Sequence, residues 1–122
     1  MDGRAHVLIV DDEADFVSMM RVLLERERYR VSGCASAPAA VRRVCDGLAP
    51  DIVLLDFQMP ALDGGDTLRR MRRCGLSAPA ILVSGTHDIR EQALANGFAD
   101  WVAKPFDFET LLGAIGRCLA RP

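Results

Sequence analysis

Ile52-Val53-Leu54-Leu55-Asp56 is a run of four aliphatic residues closed by an acid, and its reading decides the fold. So short and uniformly apolar a run, entered through Ala49-Pro50, suits a strand buried on both faces of a sheet. Four more strand-like runs, less uniformly apolar, lie to either side: His6–Val10, Arg30–Cys34, Ala80–Val83 and Asp100–Ala103. Between them the apolar period changes to that of a helix. Phe16, Met19, Met20, Leu23 and Leu24 share one helical face, as do Ala37, Ala40, Val41, Val44 and Leu48. Ser36 is the N-cap expected for the second of these helices, with Pro38 in its first turn. Phe108, Leu111, Leu112, Ile115 and Leu119 form the last helix, with Asp107 as its cap. The helices after Gly64 and Asp88 carry weaker stripes, and pairs such as Asp46-Gly47 and Asn96-Gly97 supply turns. Five strand–helix units in strict alternation predict an α/β fold, a doubly wound parallel sheet with Ile52–Leu55 at its centre.

Composition narrows the function. The 122 residues make one domain, 1–122, and no apolar run is long enough to cross a bilayer. Met1-Asp2-Gly3-Arg4 lacks the apolar core of a secretory signal, so the expected location is cytoplasmic. A net charge of −2 offers no basic field for a nucleic acid backbone. Cys34, Cys45, Cys74 and Cys118 are scattered, with neither His6 nor His87 at metal-ligand spacing, and are read as reduced thiols. Fourteen of the fifteen basic residues are arginine, and the single lysine, Lys104, therefore draws attention.

The chemistry lies where the strands run out. The first ends in Asp11-Asp12, the third in Asp56, the fourth in Ser84 and the fifth in Lys104. In an open parallel sheet, ligands bind beyond the carboxyl ends of the strands, so these side chains should converge. Three neighbouring carboxylates repel, and one ammonium cannot neutralise them. Mg²⁺ can, since it favours a few carboxylates plus waters and phosphate oxygens; Mn²⁺ would serve similarly. A carboxylate is also a nucleophile toward phosphorus, and phosphoryl transfer asks chiefly for positioning and charge neutralisation. Helix capping accounts for Asp107 and Asp63 but not for complementary groups at four strand ends.

Four segments, Val7-Leu8-Ile9-Val10-Asp11-Asp12-Glu13, Asp56-Phe57-Gln58-Met59-Pro60 with Asp63-Gly64, Val83-Ser84-Gly85 and Lys104-Pro105-Phe106, together resemble the receiver domains of bacterial response regulators. The likeness covers essentially the whole chain. It implies a flavodoxin-like (βα)5 fold with strand order 2-1-3-4-5. It implies that Asp56 accepts a phosphoryl group in a Mg²⁺-dependent reaction from a sensor histidine kinase or histidine phosphotransferase. Asp12 would ligate the metal directly and Asp11 through water, with the Gln58 carbonyl as a further ligand. Ser84 and Lys104 would each meet a phosphoryl oxygen, Lys104-Pro105 would be a cis peptide, and Trp101 would occupy the position of a switching aromatic. The output partner or output domain is unspecified, and a homodimer through the fourth helix, fifth strand and last helix is a further option.

Three features depart from that family's pattern. Serine stands at 84 where threonine is commoner, tryptophan stands at 101 for tyrosine or phenylalanine, and the stretch from Ser84 to Lys104 is short. A truncated or mobile fourth helix is expected. Turnover is not expected beyond self-phosphorylation and autodephosphorylation. Two alternatives stay open: an Asp-nucleophile phosphatase of the haloacid dehalogenase type, and a pseudo-receiver that only binds proteins. Arg69, Arg70, Arg72 and Arg73 read as a solvated helix face, His6 and His87 as without chemistry, and Met19–Met20 as core. Gly113 and Gly116 would weaken the last helix, and serve close approach of either a partner or the sheet.

Overall fold

Strands form on the strand-like runs: β1 (His6–Val10), β2 (Arg30–Cys34), β3 (Ile52–Leu55), β4 (Ala80–Ser84) and β5 (Asp100–Ala103). The computed structural model describes residues 3–120; Met1, Asp2, Arg121 and Pro122, the ends of the expected 1–122 domain, lie outside the described residues. The five strands are parallel in the order β2-β1-β3-β4-β5, as expected, with β3 central. β4 runs one residue further than its apolar run because Ser84 pairs with Ala103, and the Lys104 N–H donates to the Ser84 carbonyl (2.9 Å).

Five helices alternate with the strands: α1 (Ala14–Arg26), α2 (Ala37–Cys45), α3 (Gly64–Arg73), α4 (Ile89–Ala95) and α5 (Phe108–Leu119). The Ser36 hydroxyl accepts the Ala39 N–H (3.3 Å) at the start of α2, and the Asp63 carboxylate accepts the Asp66 N–H (2.8 Å) at the start of α3. Asp107 occupies the N-cap position of α5 but makes no side-chain capping bond; its carbonyl accepts from Thr110 instead. The expected short fourth helix is present as seven residues.

Alternate strand residues feed two separate cores. Val7, Ile9, Ile52, Leu54 and Ile81 pack with Leu111 and Ile115 on the face covered by α1 and α5. Leu8, Val10, Val53, Leu55 and Leu82 pack with Leu68, Met71 and Ala93 on the face covered by α2, α3 and α4. Each of these large side chains, once buried, contributes about 1.5–3 kcal/mol, which is why β3 carries no polar residue before Asp56 and β4 none before Ser84.

Two expectations need correction. The buried stripe of α1 is Val17, Met20 and Leu24, while Met19 is 52% exposed. Gly33 of β2 makes room for this orientation. A Cβ there would lie 2.5 Å from Val17 Cγ1, so its absence lets Val17 sit against the sheet. Second, only Cys34 and Cys118 are free thiols, both buried; Cys45 and Cys74 form a disulfide. Their Cα atoms are 4.9 Å apart although 29 residues separate them in sequence, because α2 and α3 pack side by side and end together. No local spacing motif signals such a pair.

Candidate functional site

The register of the central strands brings the acids together. Val10 pairs with Leu55, so Asp11 and Asp56, one residue beyond, emerge side by side. The Asp56 N–H donates to the Val10 carbonyl (3.0 Å) and the Asp11 N–H to the Cys34 carbonyl (3.1 Å), which fixes both backbones. Carboxylate oxygens of Asp11, Asp12 and Asp56 lie within 4.8 Å of one another. Asp11 and Asp56 are buried and Asp12 is exposed, so the cluster opens to solvent on the Asp12 side.

Lys104 closes the other side. Its Nζ donates to Asp11 Oδ2 at 2.8 Å and lies 4.0 Å from Asp56 Oδ2 and 3.8 Å from Glu13 Oε1. The bond from Lys104 to Pro105 is cis. The ammonium also sits over the Phe16 ring, 4.6 Å from its centroid, a cation–π contact. Phe16 is held in turn by an edge-to-face contact with Phe106 at 6.2 Å.

The charges are unequally balanced. Burial raises the Asp56 carboxyl above its ordinary value; Lys104 opposes this, and the Asp11 and Asp12 carboxylates add to it. Burial by itself would lower Lys104, but its hydrogen bond to Asp11 and the attraction of Asp11, Asp56 and Glu13 hold the ammonium above its ordinary value. Lys104 thus satisfies Asp11 first and Asp56 only at longer range. The carboxylate left undercompensated is Asp56.

The remaining predicted residues fall at graded distances from this centre. Gln58 reaches the pocket through its amide, which donates to Asp56 Oδ1 (3.3 Å). Ser84 ends β4, fully buried, and its hydroxyl accepts the Thr86 N–H (3.4 Å). Trp101 lies apart. It is half-buried on β5 and packs against the core shared with Ile89 and Ala93 of α4, on the sheet face opposite the one that Phe16 covers. His6 is structural: its ring Nε2 meets Ser32 Oγ at 2.7 Å and its N–H donates to Asp51 Oδ2 at 2.7 Å. His87 is exposed in the loop before α4.

Sequence reasoning missed Glu13, Phe16 and Phe106 as neighbours of Lys104. Phe16 has the spacing of a core residue, and nothing in a helical period separates a ring facing a core from one facing an ammonium. Phe16, Met19, Lys104, Pro105 and Phe106 together line an open apolar groove of about 410 Å³. Among the described residues, no helix is long and apolar enough to cross a membrane.

The model of the response regulator receiver domain family matches residues 7–116. The chain is 34% identical to response regulator SaeR of Staphylococcus aureus over 118 residues, which is 95% of this chain and 51% of that protein. It therefore spans about half the length of the curated relatives it matches. Among solved structures, chemotaxis protein CheY4 of Vibrio cholerae superposes with a TM-score of 0.83 at 26% identity, covering 95% of this chain and 99% of that one. Response regulator TrrA of Thermotoga maritima, solved in complex with Mg²⁺–BeF, superposes with a TM-score of 0.83 at 24% identity, covering 93% and 98%. With the strand order, the acidic cluster and the family match in agreement, this chain belongs to the response regulator receiver domains of two-component signalling systems.

Proposed function

We propose that the chain is a phosphoacceptor switch in which Asp56 takes a phosphoryl group from the phosphohistidine of a sensor kinase or phosphotransferase. The observation that carries this reading is the cluster of Asp11, Asp12 and Asp56 with a single ammonium committed mainly to Asp11. An Asp56 oxygen attacks phosphorus, the P–N bond breaks, and the imidazole departs with its electron pair. Asp56 becomes a mixed anhydride, and water later hydrolyses it.

The donor set fits Mg²⁺: hard carboxylate oxygens, too few for a complete protein cage, and open toward Asp12. Asp12 and Asp56 would hold the ion directly, Asp11 through water, and the Gln58 carbonyl would complete the protein ligands; Mn²⁺ suits the same donors. The metal supplies charge neutralisation for the transferring group. The Mg²⁺–BeF complex of the Thermotoga maritima relative supports the assignment. Lys104 is close enough to Asp56 to exchange its Asp11 bond for a phosphoryl oxygen, and the buried Ser84 hydroxyl would take another. The apolar groove beside Lys104, where Met19 stands exposed, gives the donor protein a landing surface.

Output would pass through α4, β5 and α5, where Leu94 is 60% exposed and Trp101 packs behind α4. That surface would take the output partner, an output domain or a second copy of the chain. The reading predicts that acetyl phosphate or phosphoramidate with Mg²⁺ adds one phosphoryl mass to the wild type and none to Asp56→Asn. A gain in both proteins, or in neither, refutes it. Sustained hydrolysis of small phosphate esters would indicate a phosphatase instead.

A further inference from the structure

The Cys45–Cys74 bond lies far from Asp56. In a parallel α/β fold the helices return against the strands, so α2 and α3 both end at the sheet edge where strands begin. Both bonded cysteines are exposed, whereas the free thiols Cys34 and Cys118 are buried. A disulfide between exposed residues is more accessible to an external thiolate than one in the core. Basic residues are common in the flanking helix turns: Arg42 and Arg43 stand in the last turn of α2, and Arg70, Arg72 and Arg73 in that of α3, with Arg43 reaching Cys34 and Arg72 the carbonyls of Leu76 and Ala78. Asp46 is the one acid adjoining either cysteine in sequence. An open pocket of about 180 Å³, lined by Val44, Leu48, Pro50, Cys74 and Leu76 among others, lies beside the bond. The covalent link thus ties together two helix ends that border this pocket.

We infer that Cys45 and Cys74 form a reversible redox latch between α2 and α3, opened by thiols of the glutathione class and closed by their disulfide. A glutathione thiolate attacks one sulfur of the pair, forming a mixed disulfide and expelling the other cysteine as a thiolate, which takes up a proton. A second glutathione thiolate then attacks the glutathione sulfur of that mixed disulfide and releases the first cysteine. Two electrons pass from two glutathiones to the protein, which gains two thiols, while oxidised glutathione is formed; closure is the reverse. Opening frees the ends of α2 and α3 and leaves the central strands intact. The latch operates whether or not Asp56 is phosphorylated.

The test equilibrates the full chain in glutathione buffers of graded ratio, quenches with acid, tags thiols once native conditions are restored, and reads intact mass and peptide maps. Cys45 and Cys74 should lose and gain tags together in one two-electron transition within the span of those buffers. Cys34 and Cys118 should stay untagged in the folded protein. The bonded form should melt about 10 °C above the open one, as expected for a closed loop of this length. Amides in the last turns of α2 and α3 should exchange at least tenfold faster when the latch opens, with those of β3 unchanged. The Cys45→Ser, Cys74→Ser double variant should match the open form in every buffer; if it does not fold, the wild-type transition alone decides. A pair that remains thiols in oxidised glutathione, a bond that survives the most reducing buffer, or single glutathionylated cysteines in place of the internal bond would each overturn the latch.

Discussion

Asp56 is the residue on which the pocket is least at ease. It is buried, it shares its space with two other carboxylates, and its nearest cation is bonded to Asp11. The folded protein therefore keeps a proton on Asp56 over a pH range in which the unfolded chain has lost it. Stability falls as pH rises from the ordinary carboxylate value to the raised folded one, and the penalty is fully present above that. In metal-free protein, Asp56→Asn should thus raise the melting temperature by a few degrees at neutral pH. The gain should vanish below the ordinary carboxylate range. An equal gain at all pH values, measured by thermal scans in chelator, would locate the effect in packing. Lys104→Met should act oppositely, costing about 1–3 kcal/mol at neutral pH because Asp11 is left buried without its partner. Denaturant titration reads that loss, and a change below about 0.5 kcal/mol would contradict the pairing. Asp56 and Lys104 were legible in the sequence because Asp56 ends an aliphatic run, Lys104 follows a strand-like one, and Lys104 is the sole lysine. Phe16 was not, since contact with a cation leaves no mark in a helical period.

At the scale of elements, the central strands β1, β3 and β4 stand where short aliphatic runs stand, because burial on both faces admits little else, while the edge strands β2 and β5 are more mixed. The helices were legible in position but less so in rotation. The stripe of α1 uses room left by Gly33, a residue of another element, and α2 ends at Cys45, leaving Leu48 to pack from the turn. Three glycines in helices show how far context decides. A Cβ at Gly64 would meet the Phe57 Cα at 2.8 Å and the Asp56 carbonyl at 3.0 Å, so α3 starts close against the segment that follows β3. A Cβ at Gly116 would meet nothing within 4 Å, and one at Gly113 only the flexible Arg117 side chain, so neither glycine serves contact with the sheet. Gly116→Ala should therefore stabilise the protein by up to about 1 kcal/mol through helix propensity alone. Gly64→Ala should destabilise it by about 1–3 kcal/mol, since backbone must move to admit the methyl group. Urea unfolding of the two variants compares them directly. Equal signs would mean that α3 or α5 sits otherwise than described.

For the whole molecule, the acidic pocket is a property of the fold and not of any segment. Lys104 and Asp11 are 93 residues apart in sequence, and Asp56 lies between them on a third strand. The sequence showed these groups at separate strand ends, and parallel topology supplied their convergence. The Cys45–Cys74 bond arises from the same kind of long-range packing, but its residues carry no strand-end marker, so it stayed hidden. A site built this way does not exist in the unfolded chain, so a cation that binds it must stabilise folding by mass action. Mg²⁺ at about ten times its dissociation constant should add about 1.4 kcal/mol. Asp12 is the residue that separates metal binding from intrinsic stability: it is exposed, and on the proposed function its replacement would remove a ligand without opening a cavity. Asp12→Asn should leave metal-free stability within about 0.5 kcal/mol of wild type, yet abolish most of the Mg²⁺-dependent gain. Urea unfolding with and without Mg²⁺ at matched ionic strength reads both quantities in one experiment. An unchanged Mg²⁺ gain in Asp12→Asn would move the metal away from the carboxylate cluster, whereas no gain in wild type would remove it from the folded protein altogether.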